Sequence, residues 1–198
     1  MAITSKMVKD LRDKTQAGMM DCKKALEQTD GDMEKALDLL RQKGLMVAAK
    51  RAGRATSEGV VETYIHAGGK LGVMVELGCE PDFVAKNDDF REFARDLAMH
   101  IAATNPISVS RDEVPEAVIA REKEIYVQQA LESGKPEAII EKMVSGKVEK
   151  FLADIVLLEQ KFVKNQDLSI QDILNELVGR IGENISIKKF ARFQVGVE

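Results

Sequence analysis

Apolar residues recur at helical spacing through the first part of the chain, and the period shortens to two near Gly59. The first 44 or so residues read as three short helices. Thr4 or Ser5 caps the first, which carries Met7, Val8 and Leu11. Gly18 interrupts the chain, and the second helix holds Met19, Met20, Cys22, Ala25 and Leu26. Asp30-Gly31-Asp32 makes a turn with Asp32 as N-cap, because a short side-chain oxygen there can accept from the first free amides of a helix. The third helix packs Met33, Ala36, Leu37 and Leu40, and Gly44 is suited to close it. The segment Ala48 to Thr56 is rich in alanine and basic residues, lacks an apolar stripe, and reads as a linker.

Beyond Gly59, Val61, Thr63 and Ile65 alternate with Glu62, Tyr64 and His66. Gly68-Gly69 supplies the residues of a tight hairpin turn. On the return strand Leu71, Val73, Val75 and Leu77 line one face, and Pro81 ends it. Asn87-Asp88-Asp89 opens a helix whose Phe90, Phe93, Ala94, Leu97 and Ile101 share a stripe. Asn105-Pro106 stops it. A further helix runs from about Pro115 to Gly134. Another runs from Pro136 to about Leu158, with a candidate break at Ser145-Gly146, and a last one from Ser169 to about Ile181. In the tail, Ile185, Ile187, Ala191, Phe193 and Val195 fall on one face of a third strand.

The expected fold class is α+β. A three-helix head with a basic linker, residues 1–55, precedes a core of residues 56–198. That core combines a small, roughly three-stranded antiparallel sheet with four or five helices. The other sheet face would carry Val60, Tyr64, Met74 and Phe190 among Lys188 and Arg192. Helices on one side cannot cover both faces of so small a sheet. A second copy of the sheet is the simplest cover, with the chain's own helices as the alternative.

Composition adds a contrast between the two parts. Through Ala55 the chain holds 12 Lys and Arg against 8 Asp and Glu; beyond it the balance is 17 against 25. A basic head on an acidic body argues for two modules, and the overall charge of −4 is low for a dedicated nucleic-acid binder. No apolar run approaches the ~20 residues that span a bilayer, and the first residues lack a signal peptide's apolar segment. The expectation is a soluble, cytoplasmic protein. Cys22 and Cys79, distant in sequence, suit neither a disulfide framework nor a metal site and read as buried thiols.

Catalytic signatures are missing. The Gly-Lys pairs at Gly69-Lys70, Gly134-Lys135 and Gly146-Lys147 lack the rest of a phosphate-binding loop. His66 sits at a hairpin tip. His100, inside an apolar helix, reads as a packed, hydrogen-bonded side chain. No nucleophile, base and orienter come together, so a binding protein without cofactor or metal is expected rather than an enzyme.

Some residues call for a binding role. Phe83 in Pro81-Asp82-Phe83-Val84 stands outside regular structure if Asn87 caps the next helix, and would then suit a recognition anchor. If that helix began earlier, Phe83 would join Phe90 in the buried stripe. Met19 and Met20 follow Gly18 directly, and one of the pair must point away from a three-helix core, with the other packed. Lys23, Lys24, Lys43, Lys50, Arg51 and Arg54 form either a solvated basic face or a steering surface for an acidic partner. An RNA adaptor or a ubiquitin-associated-type peptide binder would also be compatible with such a head.

Several of these segments together resemble the elongation factor Ts family. Arg12 with Thr15-Gln16-Ala17-Gly18-Met19-Met20-Asp21-Cys22-Lys23-Lys24-Ala25-Leu26 carries the likeness in the head. Gly31-Asp32-Met33-Glu34-Lys35-Ala36 and Lys50-Arg51-Ala52-Gly53 extend it. In the core it continues through Tyr64-Ile65-His66-Ala67-Gly68-Gly69-Lys70-Leu71-Gly72, Asp82-Phe83-Val84-Ala85-Lys86-Asn87, Ser133-Gly134-Lys135-Pro136 and Phe190-Ala191-Arg192-Phe193. The resemblance implies a ubiquitin-associated-like head and a partner, the GTPase elongation factor Tu, from which family members release GDP. It implies that Pro81, Asp82, Phe83 and Val84 form a wedge entering near the Mg²⁺ site. Arg12, Met19 and Met20 would grip the same GTPase domain, and His66 would touch another domain of the partner. Pro81 departs from a threonine common at that position. The chain also has one core half where long members have two and a further helical module; short members pair two copies through their sheets. A homodimer is therefore expected, with no direct contact to nucleic acid or membrane.

Overall fold

The computed structural model describes residues 3–15, 17–132 and 136–197. Gln16 of the head motif, Ser133-Gly134-Lys135, and with them the expected helix end at Gly134, lie outside the described residues. Helices α1 (Ser5–Thr15), α2 (Met19–Gln28) and α3 (Met33–Arg51) form the expected three-helix module. Val8, Leu11, Cys22, Ala25, Leu26 and Ala36 make its core, one short apolar stripe from each helix. The predicted caps hold. Thr4 Oγ1 accepts from the Met7 amide at 3.3 Å, and Asp32 accepts from the amides of Glu34 and Lys35, each at 3.1 Å.

The third helix does not stop at Gly44. It continues to Arg51, so half of the expected linker is helical. Gly44 serves packing instead: a Cβ built on Gly179 would lie 2.7 Å from the Gly44 Cα. The missing side chain of Gly179 lets α3 and the last helix touch backbone to backbone, whereas a Cβ on Gly44 would lie at an ordinary 3.9 Å from the Gly179 Cα. The rest of the segment is also tied down, with the Asn184 amide side chain donating to the Arg54 carbonyl at 2.8 Å and Thr56 Oγ1 lying 2.7 Å from Ser186 Oγ.

Strands β1 (Glu58–Ile65) and β2 (Leu71–Cys79) form the hairpin, with Gly68 and Gly69 at φ 90° and 68° in its turn. Next come α4 (Asp82–Ala85), α5 (Asp88–Thr104), α6 (Glu116–Leu131) and α7 (Glu137–Ile155). A small hairpin of β3 (Lys161–Phe162) and β4 (Asn165–Ser169), α8 (Ile170–Ile181) and β5 (Ile185–Gln194) complete the chain. The main sheet has the order β1-β2-β5. The class is α+β. Asn87 Oδ1 accepts from the Asp89 and Phe90 amides at 2.8 and 3.3 Å, so α5 begins where the sequence placed it, and its five-residue stripe is buried. Helix α7 runs unbroken through Gly146. The β3–β4 hairpin has no counterpart in the sequence reading.

Two compact units result. One comprises residues up to Val60 with Leu77–Glu92 and Asp172–Ser186; the other comprises Val61–Glu76, Phe93–Gln171 and residues from Ile187 onward. In the second unit, His100 is buried as expected. The Val163 amide donates to its Nδ1 at 3.4 Å, which leaves Nε2 to donate to Gln160 Oε1 at 3.0 Å. Burial pushes the imidazole below its ordinary range.

The exposed sheet face differs from the expected one. Val61, Ile65, Met74, Phe193 and Val195 are exposed, whereas Val60, Tyr64 and Phe190 are half-buried. The strand β5 accounts for this. Ile185 and Ile187 are buried, yet the Arg192 guanidinium reaches the Ala102 carbonyl of α5 at 3.4 Å, so the inward phase has moved from odd to even positions. Such a change of phase within one strand is what an irregularity in pairing produces.

Candidate protein-binding site

Helix α4 is a single turn between the end of β2 and the cap of α5. Pro81 precedes it in an extended conformation, φ −100° and ψ 151°. Its carbonyl accepts from the Val84 amide at 3.1 Å and from the Cys79 thiol at 3.4 Å. The Arg91 Nε donates to the Ala85 carbonyl at 2.8 Å, fastening the far end. Val84, Ala85 and Cys79 are buried beneath the turn, and Phe83 is 66% exposed above it. Phe83 thus takes the outward of the two positions open to it, though on a helical turn of its own rather than outside regular structure. Asp82 pairs with Lys86 one turn on, which holds the lysine's ammonium above its ordinary range.

In the head, Met19 and Met20 occupy the first turn of α2 and are 49% and 63% exposed. The expectation that one would pack in the core is corrected. Cys22, three positions after Met19, takes the inward place, with its sulfur 3.8 Å from the Ala17 carbonyl. The α1–α2 junction is held by Thr15, whose hydroxyl donates to the Leu11 carbonyl at 2.8 Å and accepts from the Ala17 amide at 3.3 Å. Arg12 is exposed on the last turn of α1, and Lys43 pairs with Asp21 beside the methionines. The basic cluster is thus partly neutralised.

His66 lies at the tip of the main hairpin, in the second unit, exposed, with the Tyr64 hydroxyl 3.0 Å from its Nδ1. The wedge residues and the head residues belong to the first unit.

Sequence reasoning passed over Glu80. Its carboxylate accepts from the Asn184 amide at 2.7 Å and lies 3.5 Å from both Arg51 and Arg54. The hydrogen bond from Asn184 and the two guanidinium groups hold this carboxyl below its usual range. The only signal was an acid between a buried cysteine and a proline, which is too common to single out.

These features define a class: an α+β protein with a three-helix head that exposes large apolar side chains on the first turns of short helices. A family model described as Elongation factor TS matches residues 2–197. The Elongation factor Ts of Desulfotalea psychrophila is 76% identical over 99% of this chain and all of its own length. That of Desulfosudis oleivorans is 60% identical over 98% of both chains. That of Carboxydothermus hydrogenoformans is 59% identical, covering 98% of this chain and 89% of its own. The chain belongs to the elongation factor Ts family of translation elongation factors.

Proposed function

We propose that this protein is the guanine nucleotide exchange factor of elongation factor Tu, acting without covalent chemistry. The observation that carries the reading is Phe83: a large aromatic ring standing in solvent on a turn whose next two residues, Val84 and Ala85, are buried. Leaving such a ring exposed forgoes about 1.5–3 kcal/mol of burial, which a partner's pocket would recover.

Exchange follows from linkage. A factor that binds the nucleotide-free GTPase more tightly than the GDP-bound form must weaken GDP by the same ratio. Pro81, Asp82, Phe83 and Val84 form the wedge that disturbs the Mg²⁺ and phosphate site, Phe83 entering and Val84 anchoring. Arg12, Met19 and Met20 grip the GTPase in both states, and His66 reaches a further domain of it. Head and core, residues 1–55 and 56–198, divide these tasks. The exposed apolar sheet face of Val61, Ile65, Met74, Phe193 and Val195 pairs two copies, and the factor works in the cytoplasm.

The test is release of fluorescent GDP from elongation factor Tu with catalytic amounts of this protein. Phe83→Ala should slow release more than it weakens the complex, whereas Met19→Ala with Met20→Ala should mainly weaken it. The reverse pattern refutes the assignment. Sedimentation at micromolar concentration tests the pairing; a clean monomer would sink it.

A further inference from the structure

We infer that Glu80 and Arg51 are positioning residues that join the head helix to the base of the wedge, so that head and wedge meet a partner as one rigid piece. The inference rests on the exchange reading for its functional consequence, and on geometry alone for its structural one.

Arg51 is the last residue of α3, the helix that also carries the head's third apolar stripe. Its Nη1 donates to Glu183 at 2.9 Å and lies 3.5 Å from Glu80. Glu80 directly precedes Pro81, where the wedge begins. The carboxylate is locked a second time by the Asn184 amide at 2.7 Å, and the Glu80 amide returns a bond to the Asn184 carbonyl at 3.2 Å. The side chains are only 27% and 19% exposed, so the pair is less screened than a surface ion pair. Two turns back along α3, the Gly44–Gly179 approach fixes the same helix at a second point. Two attachments define a direction, where one would leave a pivot. If the chain between head and wedge were a tether, the second contact would be limited by effective concentration; a rigid connection removes that loss.

The experiment uses the full chain. Nitroxide labels are placed at Met20→Cys and Phe83→Cys, since Cys22 and Cys79 are buried, and the distance distribution is measured without any GTPase. The native background should be narrow. Arg51→Met and Glu80→Gln should broaden it, and Arg51→Lys, which keeps the charge but not the planar fork, should broaden it less. Circular dichroism confirms that each variant is folded; should Arg51→Met fail, Arg51→Lys and Glu80→Gln carry the test. Glu80→Gln retains an oxygen for the Asn184 amide while removing the charge that faces Arg51 and Arg54. In unlabelled protein, the same substitutions should lower saturated GDP release about 3- to 10-fold, with the half-saturating concentration moving less than about twofold. Met20→Ala and Phe83→Ala should be non-additive in the native background and closer to additive with Arg51→Met. A distribution that stays narrow overturns the inference. Broadening with unchanged exchange overturns its functional half. Failure of the native protein to release GDP would defeat the exchange reading, while the distances still judge the contact.

Discussion

Phe83 and Val84 are neighbours on one turn of helix and face opposite ways. Truncating each separates function from stability. Phe83→Ala should leave the unfolding free energy within about 0.5 kcal/mol, since an exposed ring loses little when removed. Val84→Ala should cost about 1–3 kcal/mol by leaving a cavity under the turn. Urea unfolding measures both, and equal losses would mean that Phe83 packs. At this scale the sequence could state the alternatives for Phe83 but not choose between them. The choice turned on whether Asn87 caps α5, and a cap is decided by geometry that residue type only favours. Met19 and Met20 show the same limit. Cys22, small and apolar, took the core position that a methionine was expected to fill.

At the scale of elements, α3 illustrates what periodicity leaves out. Gly44 was a plausible end because glycine closes helices, yet here it lies at the contact with Gly179, a relation between residues far apart in sequence. Gly179→Ala should therefore destabilise by about 1–3 kcal/mol, overpacking outweighing the better helix propensity of alanine. Gly146→Ala in α7, with nothing within 4 Å of the added carbon, should instead gain up to about 1 kcal/mol. Denaturant midpoints of the two variants should move in opposite directions. The long amphipathic elements, α5 and the β1–β2 hairpin, were legible because burial writes a strong period into them. The two-residue β3 is too short to show one, and β5 changes phase midway, which a single alternating pattern cannot express. Helix α5 also carries a pH dependence through His100. Its folded value is depressed, so the unfolded chain takes up a proton first. Stability should be complete above the ordinary histidine value near 6.5 and decline as pH falls through the lowered one. Comparing urea midpoints at about pH 7.5 and 5.5, His100→Gln should show a smaller drop than the native protein.

Over the whole molecule, the reading that survived best is the fold class, an α+β chain with three helices at its start and a small antiparallel sheet. The basic segment after the head was misjudged because its cations looked solvated. Arg51 is in fact held by Glu80 and Glu183, acids that lie 29 and 132 positions away and that no local pattern pairs with it. The exposed sheet face was anticipated in kind but not in membership, since only Met74 of the expected residues is on it. Substituting Ile65 by lysine should abolish any self-association seen by sedimentation while leaving the unfolding midpoint of the protomer unchanged, because Ile65 is exposed.

The two cysteines sit beneath the two proposed contact regions, Cys22 under the Ala17 carbonyl before Met19 and Cys79 under that of Pro81. Both are closed to solvent, and burial pushes the Cys79 thiol up. A thiol reagent can reach either sulfur only when the structure above it opens, so each cysteine is a clock for its own region. Labelling rates followed separately at Cys22 and Cys79 would show how often the ground beneath each grip gives way. A partner that clamps both regions would slow the two clocks together.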